Sequence, residues 1–244
     1  MLKLTLLFFV PVLFSFVFYR ILSKKQAFMP EKEKSSYGGV YAFGIVCAAF
    51  LLRIVIAGVN PGHQTDMSCF LGWADLVYRD GFANFYPSEV FTDYPPGYIY
   101  VLYLIGGLRK FFGLVAFEPL SLLLVKLPAI LCDLIAGVLI YRRAQKSFST
   151  GGALFAMGIY LFHPALILNS CVWGQVDSVY TLCLILMFLF MEKGSMKPAY
   201  FAFAVGIFIK PQMLFFGPVI LLAFIDFILL KDFSWKRFFV EVGT

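Results

Sequence analysis

Long apolar runs, nearly free of charge, recur along the whole of this sequence and restrict it to one kind of solvent. They lie at about 4–22, 37–57, 119–141, 152–168, 178–192, 198–209 and 212–230. Runs of about 18 or more such residues are long enough to cross hydrocarbon as a helix. Lipid offers no partners to backbone N–H and C=O groups, so a spanning segment has to pair them internally, as a helix does. The surface of a soluble domain does not explain the excess: 61% of the residues are apolar, where roughly 45–50% is usual. The expectation is an all-α, multi-pass transmembrane helical bundle of about seven spans.

An eighth apolar segment, 97–113, decides the topology. Read as an amphipathic helix on the outer face, it leaves Arg20, Lys24, Lys25, Lys32, Lys34, Arg142, Arg143, Lys146, Lys193, Lys197, Lys231, Lys236 and Arg237 on the cytoplasmic side. Read as a span, it turns every later loop over and sends Arg142, Arg143 and Lys146 outward. Cytoplasmic loops are enriched in Lys and Arg, which favours the first arrangement. Gly106, Gly107, Arg109 and Lys110 also interrupt the segment, as suits an interfacial helix. The reading therefore has a first outer loop over about 58–118 and a second near 169–177. Residues 2–22 read as a retained span, because no small-residue cleavage site follows. Residues 1–36 form an extra membrane helix with a basic cytoplasmic linker, and 37–244 form the main transmembrane module.

The formal charge of +6 is spread between the apolar runs, so it speaks for membrane orientation and against a nucleic-acid partner. The five cysteines show no metal-ligand spacing; buried thiols are the ordinary reading, with a Cys69–Cys171 disulfide as the alternative. No phosphate-binding loop, dinucleotide fingerprint or nucleophile elbow is present.

The residues able to carry chemistry cluster in the polar interruptions. Pro61-Gly62-His63-Gln64-Thr65-Asp66 places a carboxylate just beyond a span and beside a histidine. Asp66 there can serve as general base to a hydroxyl or hold a metal; equally, Thr65 and Asp66 can cap a helix. Asp93-Tyr94-Pro95-Pro96 either caps the interfacial helix through Asp93 or aims Asp93 and Tyr94 at a cleft. Trp173-Gly174-Gln175-Val176-Asp177 offers Gln175 and Asp177 to hydroxyls or to a cation, with Trp173 as an interfacial anchor or the group as a capped helix entry. Within the spans Asp133 and Lys210 are the costly groups, and charge at membrane depth points to function. An ion pair of Asp133 with Lys126 or Lys210 is the structural alternative. Pro211 breaks the helix at Lys210, a break tolerated where it lines a cavity. His163, before Pro164, reads as a helix-end hydrogen bond.

Together these segments resemble the GT-C superfamily of membrane glycosyltransferases, which use polyprenyl-phosphate sugars. The features that carry the resemblance are Asp66, Asp93-Tyr94-Pro95-Pro96, Val125-Lys126-Leu127-Pro128-Ala129-Ile130-Leu131-Cys132-Asp133, Trp173 to Ser178, and Ile209-Lys210-Pro211-Gln212. The chain looks closest to dolichyl-phosphate-glucose glucosyltransferases and bacterial relatives of GPI mannosyltransferases. The resemblance implies an inverting transfer of mannose or glucose from a polyprenyl-phosphate donor to a glycan, glycolipid or protein hydroxyl on the outer or lumenal face. It implies Asp66 as catalytic base. It implies substrate binding by His63, Asp93, Tyr94, Gln175, Asp177, Lys210 and Gln212, with Lys210 facing the lipid phosphate. No metal ligand set and no cofactor is assigned, and a divalent cation is compatible with the carboxylates.

The family pattern usually continues for several more spans, so 37–244 reads as its amino-terminal part. The membrane is the plasma membrane in a bacterium and the endoplasmic reticulum in a eukaryote. The competing readings are a transporter or flippase, suggested by the broken helix, and a non-catalytic membrane subunit.

Overall fold

A computed structural model describes residues 37–225, and these are all helix, turn and loop, with no strand among them. The extra helix expected at 4–22, its linker, Asp226 and the end of the last span lie outside the described residues. The described residues form two compact units, one of 37–71 with 109–178, the other of 72–108 with 179–225.

The first unit is built on α1 (Gly38–Val59), α5 (Pro119–Ala144) and α6 (Thr150–Phe162). Ala42, Ala49, Leu134, Tyr141, Ala153, Met157 and Leu161 fill the space between them. Small residues permit the close approach. A Cβ on Gly137 would stand 2.6 Å from Leu161, so only glycine leaves room there. Ser149 starts α6 by accepting the Gly152 N–H at 3.1 Å. His163 ends it, extended at φ −65° and ψ 123° as a residue before proline prefers to be. The chain then resumes as α7 (Pro164–Ile167) and a π-helical turn, Leu168–Trp173, bent 41° from α6. His163 Nδ1 accepts the Ala165 N–H at 3.2 Å, the expected helix-end bond.

The second unit holds most of α2 (Gln64–Asp80), α3 (Phe82–Phe85), and α4 (Pro96–Phe111) except its last turn. It also holds α8 (Asp177–Glu192) beyond its first turn, and α9 (Met196–Ile209). A 3-10 turn, Pro211–Phe216, and α10 (Gly217–Ile225) come after the expected break at Lys210. Met187, Met196, Ala199, Ala202, Met213 and Ile220 form its core.

Among the described residues two helices, α1 and α5, are long and apolar enough to cross a membrane, and the bent pair Thr150–Phe162 with Pro164–Trp173 makes a third if it forms one span. The run 178–192 folds as a helix of only 16 residues and 198–209 as one of 14, each shorter than the hydrocarbon core needs. The segment 97–113 is helical, as expected of an amphipathic element. Tyr98, Ile99, Leu102 and Ile105 are buried, while Tyr100, Leu104, Leu108 and Phe111 are exposed. Arg109 is buried, giving Nε–H to Ser121 Oγ at 2.9 Å and Nη1–H to the Leu71 carbonyl at 3.3 Å.

Two further readings change. The second polar loop shrinks to Gly174–Val176, because 168–173 continues the helix as a π turn. Asp133 pairs with Arg53, Nε to Oδ2 at 3.5 Å, rather than with Lys126 or Lys210. Cys69 and Cys171 are free thiols, the ordinary reading of the sequence, and not the disulfide offered as its alternative.

Candidate active site

In the first unit, two chain segments meet at Asp66. The first descends from α1, which ends at Asn60 in extended conformation, φ −109° and ψ 128°. The Lys126 ammonium donates to the carbonyls of Ala57, at 3.2 Å, and Asn60, at 2.6 Å, which a helix end leaves without helical partners. Pro61 and Gly62 then turn the chain into α2. Asp66 lies in the first turn of that helix, where the dipole favours a carboxylate. The helix starts at Gln64, so Asp66 sits inside it rather than capping it.

The second segment is the π turn with the short loop Gly174–Val176 that leads into α8. Gly174 adopts the left-handed conformation, and the N–H groups of Gly174 and Gln175 both return to the Asn169 carbonyl at 3.0 Å. Asp177 begins α8, and its Oδ2 accepts the Asn169 side-chain amide at 3.0 Å.

The two segments are clasped together at several points. The His63 N–H donates to the Trp173 carbonyl at 2.8 Å. The His63 imidazole stacks on the Trp173 indole, centroids 4.7 Å apart and planes 15° from parallel. Trp173 Nε1–H donates to Asp66 Oδ2 at 2.5 Å, and Gln175 Nε2–H donates to the same oxygen at 2.8 Å. His63 Nδ1 is 3.3 Å from that oxygen, within reach when this nitrogen carries the proton. All these contacts fall on Oδ2. Oδ1 has no partner among the described residues and is available to accept a proton.

Glycine is required on both sides of the clasp. Gly62 has φ +90° and Gly174 φ +88°, and a Cβ on either would meet Met67, at 2.5 Å and 2.6 Å respectively. Met67 is fully buried. Beside the clasp lies a cavity of about 430 Å³, walled by Ala165, Leu168 and Val172, with His63, Asn169 and Trp173 contributing its polar and aromatic lining. Such a space takes a ligand with an apolar body and a few polar groups.

The second unit gathers Tyr94 and Lys210. A Cβ on Gly97 would fall 2.5 Å from the Phe208 carbonyl oxygen, so the start of α4 lies directly against the end of α9. Lys210 Nζ thereby sits 5.7 Å from the Tyr94 ring centroid, in cation–π range. Trp73 supports the arrangement, donating to the Phe91 carbonyl at 2.8 Å and meeting the Tyr94 ring at 5.5 Å. Asp93 and Gln212 lie outside these contacts, Gln212 exposed and Asp93 at the loop before α4.

Of the residues singled out from sequence, His63, Asp66 and Gln175 are in direct contact, and Asp177 joins them through Asn169. Tyr94 and Lys210 form a second pair. Sequence reasoning assigned Trp173 only an anchoring role and gave no role to Asn169 or Arg53. Trp173 had one signal, its position two residues before Gln175; the other two had none. No group of three His, Cys, Asp or Glu side chains suited to a metal ion occurs among the described residues.

The family match places this helical chain among the membrane glycosyltransferases of the GT-C superfamily. Residues 97–242, more than half of the chain, match the family described as dolichyl-phosphate-mannose-protein mannosyltransferase, and the chain belongs to that family. No curated protein and no solved structure matches it. The matched region contains Trp173, Gln175, Asp177, Lys210 and Gln212; His63, Asp66, Asp93 and Tyr94 precede it.

Proposed function

We propose that the protein transfers a hexose, with mannose favoured by its family, from a polyprenyl-phosphate sugar to a hydroxyl acceptor on the outer or lumenal face of a membrane. Asp66 is the base. The acceptor oxygen forms a bond to the anomeric carbon as its proton passes to Asp66 Oδ1. The bond from that carbon to the phosphate oxygen breaks, and the polyprenyl phosphate leaves with the electron pair. Attack opposite the leaving group inverts the anomeric configuration.

The observation that carries this reading is the one-sided bonding of Asp66. Trp173 and Gln175 hold Oδ2 and leave Oδ1 for a substrate proton. Positive charge beside the phosphate lowers the barrier to its departure, and Lys210 is the residue proposed for it. His63, Asp93, Tyr94, Gln175, Asp177 and Gln212 are the proposed contacts to sugar and acceptor. The proposed topology has seven spans, with the polar segments around Asp66 and Asp177 outside and the Arg142–Lys146 loop in the cytoplasm. The residues 1–36 are proposed as a separate membrane anchor, and the acceptor is a glycan, a glycolipid or a protein.

The test is sugar transfer by purified protein in lipid, with radiolabelled polyprenyl-phosphate mannose or glucose and an acceptor extract, beside Asp66→Asn. Transfer by the wild type alone supports the enzyme and its base together. Transfer retained in a folded Asp66→Asn variant removes Asp66 from the mechanism. No transfer by folded wild type would favour a transporter or an accessory subunit.

A further inference from the structure

Lys126 and Asp133 lie on the same helix, α5, seven residues apart. That is two turns, so they share a face. Both are fully buried. Two charges among apolar helices are costly unless each has specific work to do. Neither touches Asp66, yet each grips one of the two segments that meet there.

Lys126 grips the first segment. Its ammonium holds the last carbonyls of α1, at Ala57 and Asn60, and only Pro61 and Gly62 separate Asn60 from His63. Its Cε also lies 3.4 Å from where a Cβ on Gly174 would stand, so the same side chain is packed against the second segment. Asp133 grips that second segment at both ends. The Ser170 hydroxyl lies 2.8 Å from Asp133 Oδ2, and the Ser178 hydroxyl bonds to the same carboxyl group. The stretch from Ser170 to Ser178 contains Trp173 and Gln175, the two donors to Asp66. Arg53 of α1 stands 3.5 Å behind the carboxylate and ties it back to the helix that leads to His63.

We infer that Lys126 and Asp133 are positioning residues, which set the register of the two segments and thereby the orientation of the Asp66 carboxylate; this rests on the reading of Asp66 as base. Apolar residues of similar size would fill the same volume without fixing either segment's position. A displacement of about 1 Å at a reacting group is enough to cost about a hundredfold in rate.

The test reads geometry and catalysis separately. Protein labelled with 5-fluorotryptophan gives a fluorine resonance for Trp173, assigned by its loss in Trp173→Phe. Lys126→Met and Asp133→Asn are each expected to move that resonance and to lower kcat at least tenfold with KM little changed. Lys126→Arg, which keeps the donors, is expected to restore both toward wild type. Arg79→Gln, an exposed change elsewhere, leaves both alone. A folded Asp133→Asn protein with the wild-type resonance overturns the inference, whether or not kcat falls. Should Asp133→Asn fail to fold, Ser170→Ala carries the same comparison. If the resonance moves but wild type transfers no sugar, the bracing holds and the enzymatic reading falls.

Discussion

Asp66 and Trp173, 107 residues apart in the chain, are joined by a 2.5 Å hydrogen bond from the indole N–H to the carboxylate Oδ2. The same indole lies flat against His63, whose backbone N–H donates to the Trp173 carbonyl. One side chain thus orients the carboxylate, supports its neighbour and closes the two segments on each other. Gln175 adds a second donor to the same oxygen, so rotation of the carboxylate would break two bonds at once.

Replacing Trp173 by Phe keeps the stack and removes the donor. A hydrogen bond to a charged group contributes about 1.5–3 kcal/mol. If most of that is felt in the transition state, kcat/KM falls roughly ten- to a hundredfold. Trp173→Ala, which also removes the support under His63, should fall further. Steady-state transfer rates for the two variants make the comparison.

Asp66→Asn should reduce transfer by about a hundredfold or more, the usual worth of a positioned general base. The amide oxygen can still accept from Trp173 and Gln175, so the thermal midpoint should stay near that of the wild type. A large fall in that midpoint would mean that the loss of activity reports unfolding instead.

Gly62→Ala and Gly174→Ala should each destabilise the protein by about 1–3 kcal/mol, the cost of holding a side chain in a sparsely populated backbone region. Both positions have positive φ, and both methyl groups would strike Met67. Pairing either with Met67→Ala relieves the collision but not the backbone strain, so thermal midpoints should recover only in part.

Arg53→Met leaves Asp133 buried without its cation and should cost about 3–5 kcal/mol. Arg53→Met with Asp133→Leu removes both charges and should cost less than the two single changes summed. Thermal unfolding of the four proteins completes this double-mutant cycle.

Lys210→Gln should lower kcat by about a hundredfold if its charge meets the departing phosphate, since loss of one such stabilising group costs about that much. Lys210→Arg should retain most of the rate. Equal loss in both variants would remove the charge of Lys210 from the mechanism.

Much of the architecture was legible from residues taken in order. The long, predominantly apolar runs in α1 and α5 have no stable state in lipid other than helix, whatever surrounds them. Pro164 and Pro211 break their helices by local geometry, and His163 caps beside the first break as expected. Asp66, Gln175 and Asp177 stood out because polar groups are scarce in such a chain. Partner choice was not legible. Asp133 had three cations to choose from, and the packing of α1 on α5 selected Arg53. Trp173 read as an anchor because its donor role needs Asp66 beside it, and no local pattern reports a neighbour 107 positions away. The π turn hid as well, since it shifts the aim of Asn169 and Trp173 without changing hydrophobic spacing enough to notice. Periodicity and chain-breaking residues act over a few positions and therefore determine the helices and the places where polar groups interrupt them. Which oxygen of Asp66 is held depends on donors that only tertiary packing brings within 3 Å.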